Sequence, residues 1–291
     1  MSFSSECKTE MCKTPADRVC CARTELYGCF LLGLKFSPDG IRLLTGHDGL
    51  ANRLRALLRT GFGLTFDASG KLGRKRLLEI TSPGKLKAVL SAFGHDGLPR
   101  AAVHLNRGAI EDDCCLPAFT RGAFLAGGFV SSPDRDYHLE VLTPRVALSR
   151  QLSALFSELD LPPKTASRAG HKVLYYKSSE YIEDFLTLCG APLCAMTVME
   201  AKVEKDVRNN INRKVNCEAA NLMKTVGAGV SQCEAIRRLM QTPGWDELPD
   251  SLKQAAALRL DYPEDTLNEL AKRAGVSKSG MAHRMRKLTD L

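Results

Sequence analysis

The sequence lacks any run of about 18 apolar residues, the length a membrane-spanning helix needs. Its opening, Met1-Ser2-Phe3-Ser4-Ser5-Glu6, lacks the basic segment and apolar stretch of a secretory signal. Eleven cysteines include no C-x2-C pair; eight of them fall as Cys20-Cys21, Cys114-Cys115, Cys7-x4-Cys12 and Cys189-x4-Cys194, spacings poor for zinc. The six histidines have no ligand spacing either. No metal and no cofactor are therefore expected. Without a secretion signal, a disulfide framework is not expected. The thiols read as reduced, many of them small buried hydrophobes, with a redox or cluster-binding role as the alternative. A soluble cytoplasmic protein with no membrane insertion is the expectation.

What is present is globular. Hydrophobic residues make up 44% and charged residues 25%, which excludes wholesale disorder. At roughly 150 residues per domain, the 291-residue chain suggests about two domains. The formal charge of +8 permits a polyanion partner without requiring one. Its distribution says more. Residues 245–271 carry two basic and seven acidic side chains, whereas residues 272–291 carry six basic ones and only Asp290. The tail is strongly polarised.

The first two thirds repeat. Gly28-Cys29-Phe30-Leu31-Leu32-Gly33 and Gly122-Ala123-Phe124-Leu125-Ala126-Gly127 share Gly-x-Phe-Leu-x-Gly at an offset of 94 residues. An apolar stretch follows each copy (Ile41 to Thr45, His138 to Thr143) behind a Pro-Asp turn signal. A helical pattern comes next, Leu50-x3-Leu54-x2-Leu57-Leu58 against Leu148-x3-Leu152-x2-Leu155-Phe156. Paired β-type runs then appear, Phe62 to Phe66 with Arg76 to Thr81, and Lys164 to Arg168 with Lys172 to Lys177. Each copy closes on a helix ending at Gly94 or Gly190. The reading is two copies of helix, hairpin, helix, hairpin, helix. One strand of each first hairpin is unclear; in the first copy Leu34 to Ser37 is its only candidate. The bridge from about Asp96 to Leu116 has no clear element. The motif glycines would let two helix backbones approach closely.

Leu125-Ala126-Gly127 opens a motif similar to that of the LAGLIDADG homing endonucleases. That resemblance implies a duplicated α/β unit with a DNA saddle, and a metal-binding acidic residue at the penultimate motif position. On that alignment this sequence has Pro38 and Ser132 there, which implies that the nuclease chemistry is absent and that no catalytic residue is present. Asp39 and Asp134 lie just beyond, past a proline.

From Met196 to about Thr225 nothing interrupts a helical pattern with apolar residues at Val203, Val207, Ile211, Val215, Ala219 and Leu222. Asn209, Asn210, Asn212, Asn216 and Asn221 are unusually dense for a helix. They read as a solvated face, as phosphate-backbone contacts (Asn212, Arg213 and Asn216 being the candidates) or as packing between domains. Gly227 and Gly229 are expected to end this helix, with a shorter one over Ser231 to Gln241 and a linker at Pro243-Gly244. A further helix fits Asp250 to Asp261. Thr266-Leu267-Asn268-Glu269 is a capping box, Gly275 a turn, and Ser277 the cap of a last helix that buries Met281, Met285 and Leu288. This is helix-turn-helix grammar. Ser277, Lys278, Ser279, His283, Arg284, Arg286 and Lys287 are the candidate DNA-binding residues.

Taken together, Arg121 to Gly128, Asn212-Arg213-Lys214-Val215-Asn216-Cys217-Glu218, and Ser277-Lys278-Ser279-Gly280 with His283-Arg284 and Arg286-Lys287 closely resemble the bacterial WhiA family. The resemblance covers essentially the whole chain. It implies an α+β fold: a degenerate, duplicated LAGLIDADG homing-endonuclease-like domain followed by an all-α helix-turn-helix domain similar to sigma-factor region four. It also implies a non-enzymatic, nucleoid-associated DNA-binding regulator of sporulation, cell division or chromosome segregation, partnered by double-stranded DNA and by other transcription or cell-division proteins. The boundaries expected are 1–95 and 96–195 for the repeats, 196–244 for the long helix and linker, and 245–291 for the helix-turn-helix. Two alternatives stand beside this. One is a protein-interaction platform whose DNA binding is confined to the tail. The other is an active nuclease using Asp112 and Asp113.

Overall fold

The computed structural model describes residues 2–96, 103–110 and 112–290. Internal contacts divide the chain into two compact units, Met1–Glu204 and Lys205–Leu291.

The first unit opens with α1 (Phe3–Met11) and then runs twice through one pattern. The first copy is α2 (Val19–Leu31), β1 (Lys35–Ser37), β2 (Gly40–Thr45), α3 (Asp48–Phe62), β3 (Ala68–Leu72), β4 (Lys75–Ile80) and α4 (Pro83–Ala92). The second is α5 (Cys115–Gly127), β5 (Gly128–Val130), β6 (Leu139–Thr143), α6 (Val146–Glu158), β7 (Lys164–Arg168), β8 (His171–Tyr176) and α7 (Ser179–Leu188). Each copy forms an antiparallel four-stranded sheet, and the orders β1-β2-β4-β3 and β5-β6-β8-β7 are equivalent. The repeat read from the sequence is thus a repeat of topology. The bridge between the copies falls partly on 97–102 and 111, outside the described residues; within it, Arg107–Ala109 form a short 3-10 turn.

The two copies meet through α2 and α5, and glycine decides how closely. A Cβ on Gly122 would stand 2.0 Å from the Glu25 carbonyl oxygen, and one on Gly28 would stand 2.4 Å from that of Phe119. Only glycine permits backbones this close. The second glycine of each motif acts differently: Gly33 lies against Leu43 and Gly127 against Leu142 and Leu32, seating each helix end beside a strand of its own sheet. Aromatic and aliphatic side chains fill the core around this pair, with Tyr27 stacked on Phe93 at 4.4 Å between centroids and Phe124, Phe156 and Phe185 clustered in the second copy.

One strand lies elsewhere than the sequence pattern suggests. The run Phe62 to Phe66 is not a strand: Phe62 ends α3, Gly63 caps it in the left-handed region, and Leu64 and Phe66 are half-buried against the core. The strand is the exposed Ala68–Leu72, whose sequence Ala-Ser-Gly-Lys-Leu has no alternating apolar pattern. Backbone pairing to β4 holds it, with Asp67 accepting the Thr81 and Ser82 amides at 2.7 Å each to set the turn.

The second unit takes in the C-terminal part of α8 (Pro192–Leu239), then α9 (Asp250–Asp261), α10 (Leu267–Arg273) and α11 (Lys278–Asp290). Here a second expectation fails: α8 runs unbroken through Gly227 and Gly229, and Ser231 to Leu239 is its last part rather than a separate helix. A helical glycine costs only about 1 kcal/mol against alanine, so it stops a helix only where the chain takes the left-handed turn. Gly229 has a packing reason to be there: a Cβ would meet the Pro263 carbonyl oxygen at 2.1 Å. A small core of Ile236, Leu252, Ala255, Ala256, Leu270, Ala271, Met281, Met285 and Leu288 closes the unit.

Candidate nucleic-acid interface

The tail folds as its sequence grammar suggests. Thr266 and Glu269 form the reciprocal capping box that starts α10. Gly275, at φ +65°, makes the turn in a conformation that disfavours a side chain. Ser277 Oγ then accepts the Gly280 amide at 3.1 Å and starts α11. Met281, Met285 and Leu288 are buried as one stripe. This fixes the rotation of α11 and turns Lys278, Ser279, His283, Arg286 and Lys287 to the exposed side. Ser277 is exposed as well, and its hydroxyl lies 3.0 Å from that of Ser279. Arg284 is different: it is half-buried, and its Nη1 has no hydrogen-bond partner among the described residues.

Arg259 was not singled out in the sequence, yet it organises the approach to α10. It is 2% exposed, and its Nη1 donates to the Asp265 carbonyl at 2.6 Å and more loosely to those of Tyr262 and Pro263. A buried arginine thereby holds the α9–α10 loop by its backbone. Burial lowers its pKa. Its only sequence signal was an arginine on a helix face otherwise made of Leu252, Ala255 and Ala256.

The basic residues divide into two kinds. Arg273 is committed: it pairs with Asp265 at 2.7 Å and lies 3.7 Å over the Tyr262 ring. Lys278, Arg286 and Lys287 make no ion pair among the described residues. On α8, Asn212, Arg213 and Asn216 are exposed on one arc of the helix, and every residue from 206 to 224 is exposed. The apolar stripe Val203, Val207, Ile211 and Val215 is exposed with them.

In the first unit, the two positions aligned with the motif's acidic residue lie beyond the paired helices. Pro38 is in the β1–β2 turn and Ser132 in the loop after β5, each a strand further on. The residues at the helix ends are Gly33 and Gly127, which have no side chain to offer. Both line a cavity of about 330 Å³ whose other walls include Leu32, Leu43, Leu54, Ala126, Leu142, Thr45 and His171, and no carboxylate. Asp112 and Asp113 are exposed ahead of α5, at the opposite end of that helix from Gly127. The outer faces of the sheets carry matched charge: Arg42 pairs with Glu79 at 2.5 Å, and Glu140 with Arg168 at 2.7 Å and His138 at 3.1 Å.

The architecture defines a class, a duplicated LAGLIDADG-type body joined to a helix-turn-helix unit. Family models narrow it: the WhiA LAGLIDADG-like domain matches residues 116–208 and the WhiA C-terminal HTH domain matches residues 211–291. A probable cell division protein WhiA from Ruminiclostridium cellulolyticum is 33% identical, covering 100% of this chain and 97% of its own length. One from Moorella thermoacetica is 36% identical over 99% and 90% respectively. The chain belongs to the WhiA family. The crystal structure of full-length DUF199/WhiA from T. maritima superposes with a TM-score of 0.62 at 21% identity, covering 100% of this chain and 97% of that one. The isolated N-terminal LAGLIDADG domain of DUF199/WhiA superposes at 0.52 with 18% identity, covering 65% of this chain and 92% of that one. Both share the fold.

Proposed function

We propose that the protein is a non-enzymatic regulator that binds double-stranded DNA through α11, in the nucleoid of the cytoplasm, and acts on genes of cell division, chromosome segregation or sporulation. The observation that carries this is the uncommitted basic face of α11, Lys278, Arg286 and Lys287, presented beside Ser279 and His283 by a helix whose rotation the methionine stripe fixes. Lys and Arg on such a face suit phosphates and guanine edges, and the serine and histidine suit bases or backbone. Ser277, at the start of the helix, belongs to the same surface. Arg284, half-buried, flanks that surface. On α8, Asn212, Arg213 and Asn216 add contacts to the DNA backbone. The domain limits that follow are 1–95, 96–195, 196–244 and 245–291.

Two footings on one DNA would raise effective concentration without new contacts at either. For the first unit a second reading has support of its own. On the sheet faces Arg42 is paired with Glu79 and Arg168 with Glu140, which withdraws these two arginines from phosphates. These pairs favour a surface for other transcription or cell-division proteins, with DNA binding confined to the tail.

The test is fluorescence anisotropy on a panel of genomic DNA fragments at several salt concentrations, comparing the full chain with a truncation ending at Gly244. Loss of sequence preference with retention of weak, salt-sensitive binding assigns base reading to the tail and backbone contacts to the body. Loss of all binding supports the protein-interaction reading of the first unit. Equal binding by the full chain and the truncation sinks the assignment to α11.

A further inference from the structure

The offset of 94 that relates the glycine motifs also relates Cys20 to Cys114 and Cys21 to Cys115. In the sequence these are two unremarkable vicinal pairs. In the fold they come together, because α2 and α5 cross as the two halves of a pseudo-twofold pair and each cysteine pair sits at the start of its helix. Cys20 and Cys21 are in the first turn of α2; Cys114 precedes α5 and Cys115 begins it. All four sulfur atoms lie within 4.8 Å of one another. Cys20 Sγ stands 4.0 Å from Cys21 Sγ and 3.9 Å from Cys114 Sγ. Cys115 is buried and the other three are half-buried, and all four are free thiols.

We propose that Cys20, Cys21, Cys114 and Cys115 form a tetrathiolate site for a single zinc-class divalent cation, which clips the two repeats together at the N-terminal ends of α2 and α5. The size of the cluster selects the ligand. Zinc–sulfur bonds of about 2.3 Å in a tetrahedron require sulfur–sulfur edges of about 3.8 Å, close to the separations of Cys20 from its two neighbours. A polynuclear iron–sulfur cluster holds its cysteines around several irons and bridging sulfides, which this spacing does not accommodate. Four protein ligands and no open position describe a structural rather than a catalytic site.

The surroundings suit the charge. Four thiols release four protons and form four sulfur–metal bonds to one divalent cation, leaving the site at a net charge of −2. The N-terminal ends of both helices point positive partial charge at it, and the Arg18 guanidinium is close enough to interact with Cys114, Cys20 and Cys21. Cation binding has to expel the thiol protons, so it is pH-dependent. The expectation of no metal rested on the absence of C-x2-C; a ligand set assembled by internal symmetry needs no such spacing within either half.

The test begins with metal analysis of the full-length protein purified under reducing conditions from zinc-replete cells, with about one zinc per chain expected. Cobalt(II) titrated into the stripped protein should give sulfur-to-cobalt charge transfer in the near ultraviolet and intense visible bands of a tetrahedral thiolate site, saturating at about one equivalent. The double variant Cys21→Ser, Cys114→Ser should lose these bands. Its affinity should fall by more than the roughly 10–100-fold that loss of an outer-shell partner produces. Cys217→Ser, whose thiol is exposed on α8, should leave them unchanged. Should the double variant fail to fold, the wild-type metal content and cobalt spectrum decide alone. The proposal is overturned by wild-type protein that neither carries zinc nor develops the cobalt bands, by labile sulfide with several irons per chain, by a Cys20–Cys114 disulfide in freshly isolated protein, or by bands that persist in a folded double variant.

Discussion

Arg121 Nε donates to Glu25 Oε2 at 2.9 Å, across the crossing of α5 over α2 and wholly inside the protein. The same carboxylate takes a second arginine, Arg53, whose Nη2 reaches Oε2 at 2.7 Å and whose Nε donates to Oε1. Arg53 also binds the Cys12 and Thr14 carbonyls, and Arg121 the Cys189 carbonyl. Among the described residues, Glu25 is thus the one carboxylate paired with these two buried guanidiniums, one from each repeat. Breaking a buried pair is costly because it strands the remaining charge. Glu25→Ala strands two, and it should lower the unfolding free energy by about 3–5 kcal/mol. Arg121→Met leaves Glu25 paired with Arg53 and should cost less. Urea denaturation followed by circular dichroism orders the two variants, and the reverse order would refute this account of the triad.

Two glycines two positions apart on α8 should respond to alanine with opposite signs. A Cβ at Gly227 meets nothing within 4 Å, whereas one at Gly229 meets the Pro263 carbonyl oxygen at 2.1 Å, a backbone atom that cannot swing away. Gly227→Ala should stabilise the C-terminal unit by up to about 1 kcal/mol through helix propensity alone. Gly229→Ala should destabilise it by about 1–3 kcal/mol as the α9–α10 loop is pushed off. Hydrogen exchange of the α9 to α11 amides reads both effects; an equal response at the two positions would mean that the loop does not pack on α8 as described.

These examples mark what the sequence could and could not reveal. The repeat was legible because Phe30 and Phe124 share one motif, and Leu54 and Leu152 one helical pattern, in the same order along the chain, and burial enforces such patterns. The tail was legible because caps and turns use a small chemical vocabulary, as at Thr266, Glu269 and Gly275. Strand β3 was not, since Ala68-Ser69-Gly70-Lys71-Leu72 is held by its neighbour's backbone and needs no side-chain pattern. The continuity of α8 was hidden because Gly229 answers to a tertiary contact rather than to local conformation. Arg259 and the four clustered cysteines belong to the same group, since each acts through partners distant in sequence.

Acid should weaken the first unit through His95. Its Nε2 lies 2.8 Å from the Tyr27 hydroxyl, which donates to the His104 carbonyl and accepts the Asn106 amide, while its Nδ1 is buried with no partner among the described residues. Burial, with the neighbouring His104, lowers its pKa to about 4. The unfolded chain takes up this proton near pH 6.5, so between about pH 6.5 and 4 it binds more protons than the folded one, and stability falls as pH falls. That window contributes on the order of 3 kcal/mol. Asp67 and Glu180, held low by Lys85 and Lys202, extend the loss to lower pH. The melting temperature of wild type should drop between pH 7 and 5, and His95→Gln should flatten that segment. A parallel drop in the variant would assign the lability elsewhere.

The division of the tail's basic residues into committed and uncommitted has a signature in salt dependence. Each phosphate contact releases counterions, so log affinity falls with log salt at a slope of about −0.9 per contact on duplex DNA. Arg286→Ala and Lys287→Ala, on the face that makes no internal ion pair, should each flatten the slope by about 1 with little change in melting temperature. Arg273→Ala removes the Asp265 pair and the stacking on Tyr262, so its cost should appear in the stability of the C-terminal unit. Its salt slope should stay close to that of wild type, because a guanidinium held by a carboxylate and a ring has little left for a phosphate. Anisotropy titrations between low and physiological salt, run beside thermal melts, separate the two groups. If Arg273→Ala flattened the slope as much as Arg286→Ala, the Asp265 pair would have to open on DNA, and the binding surface would extend from α11 back onto α10.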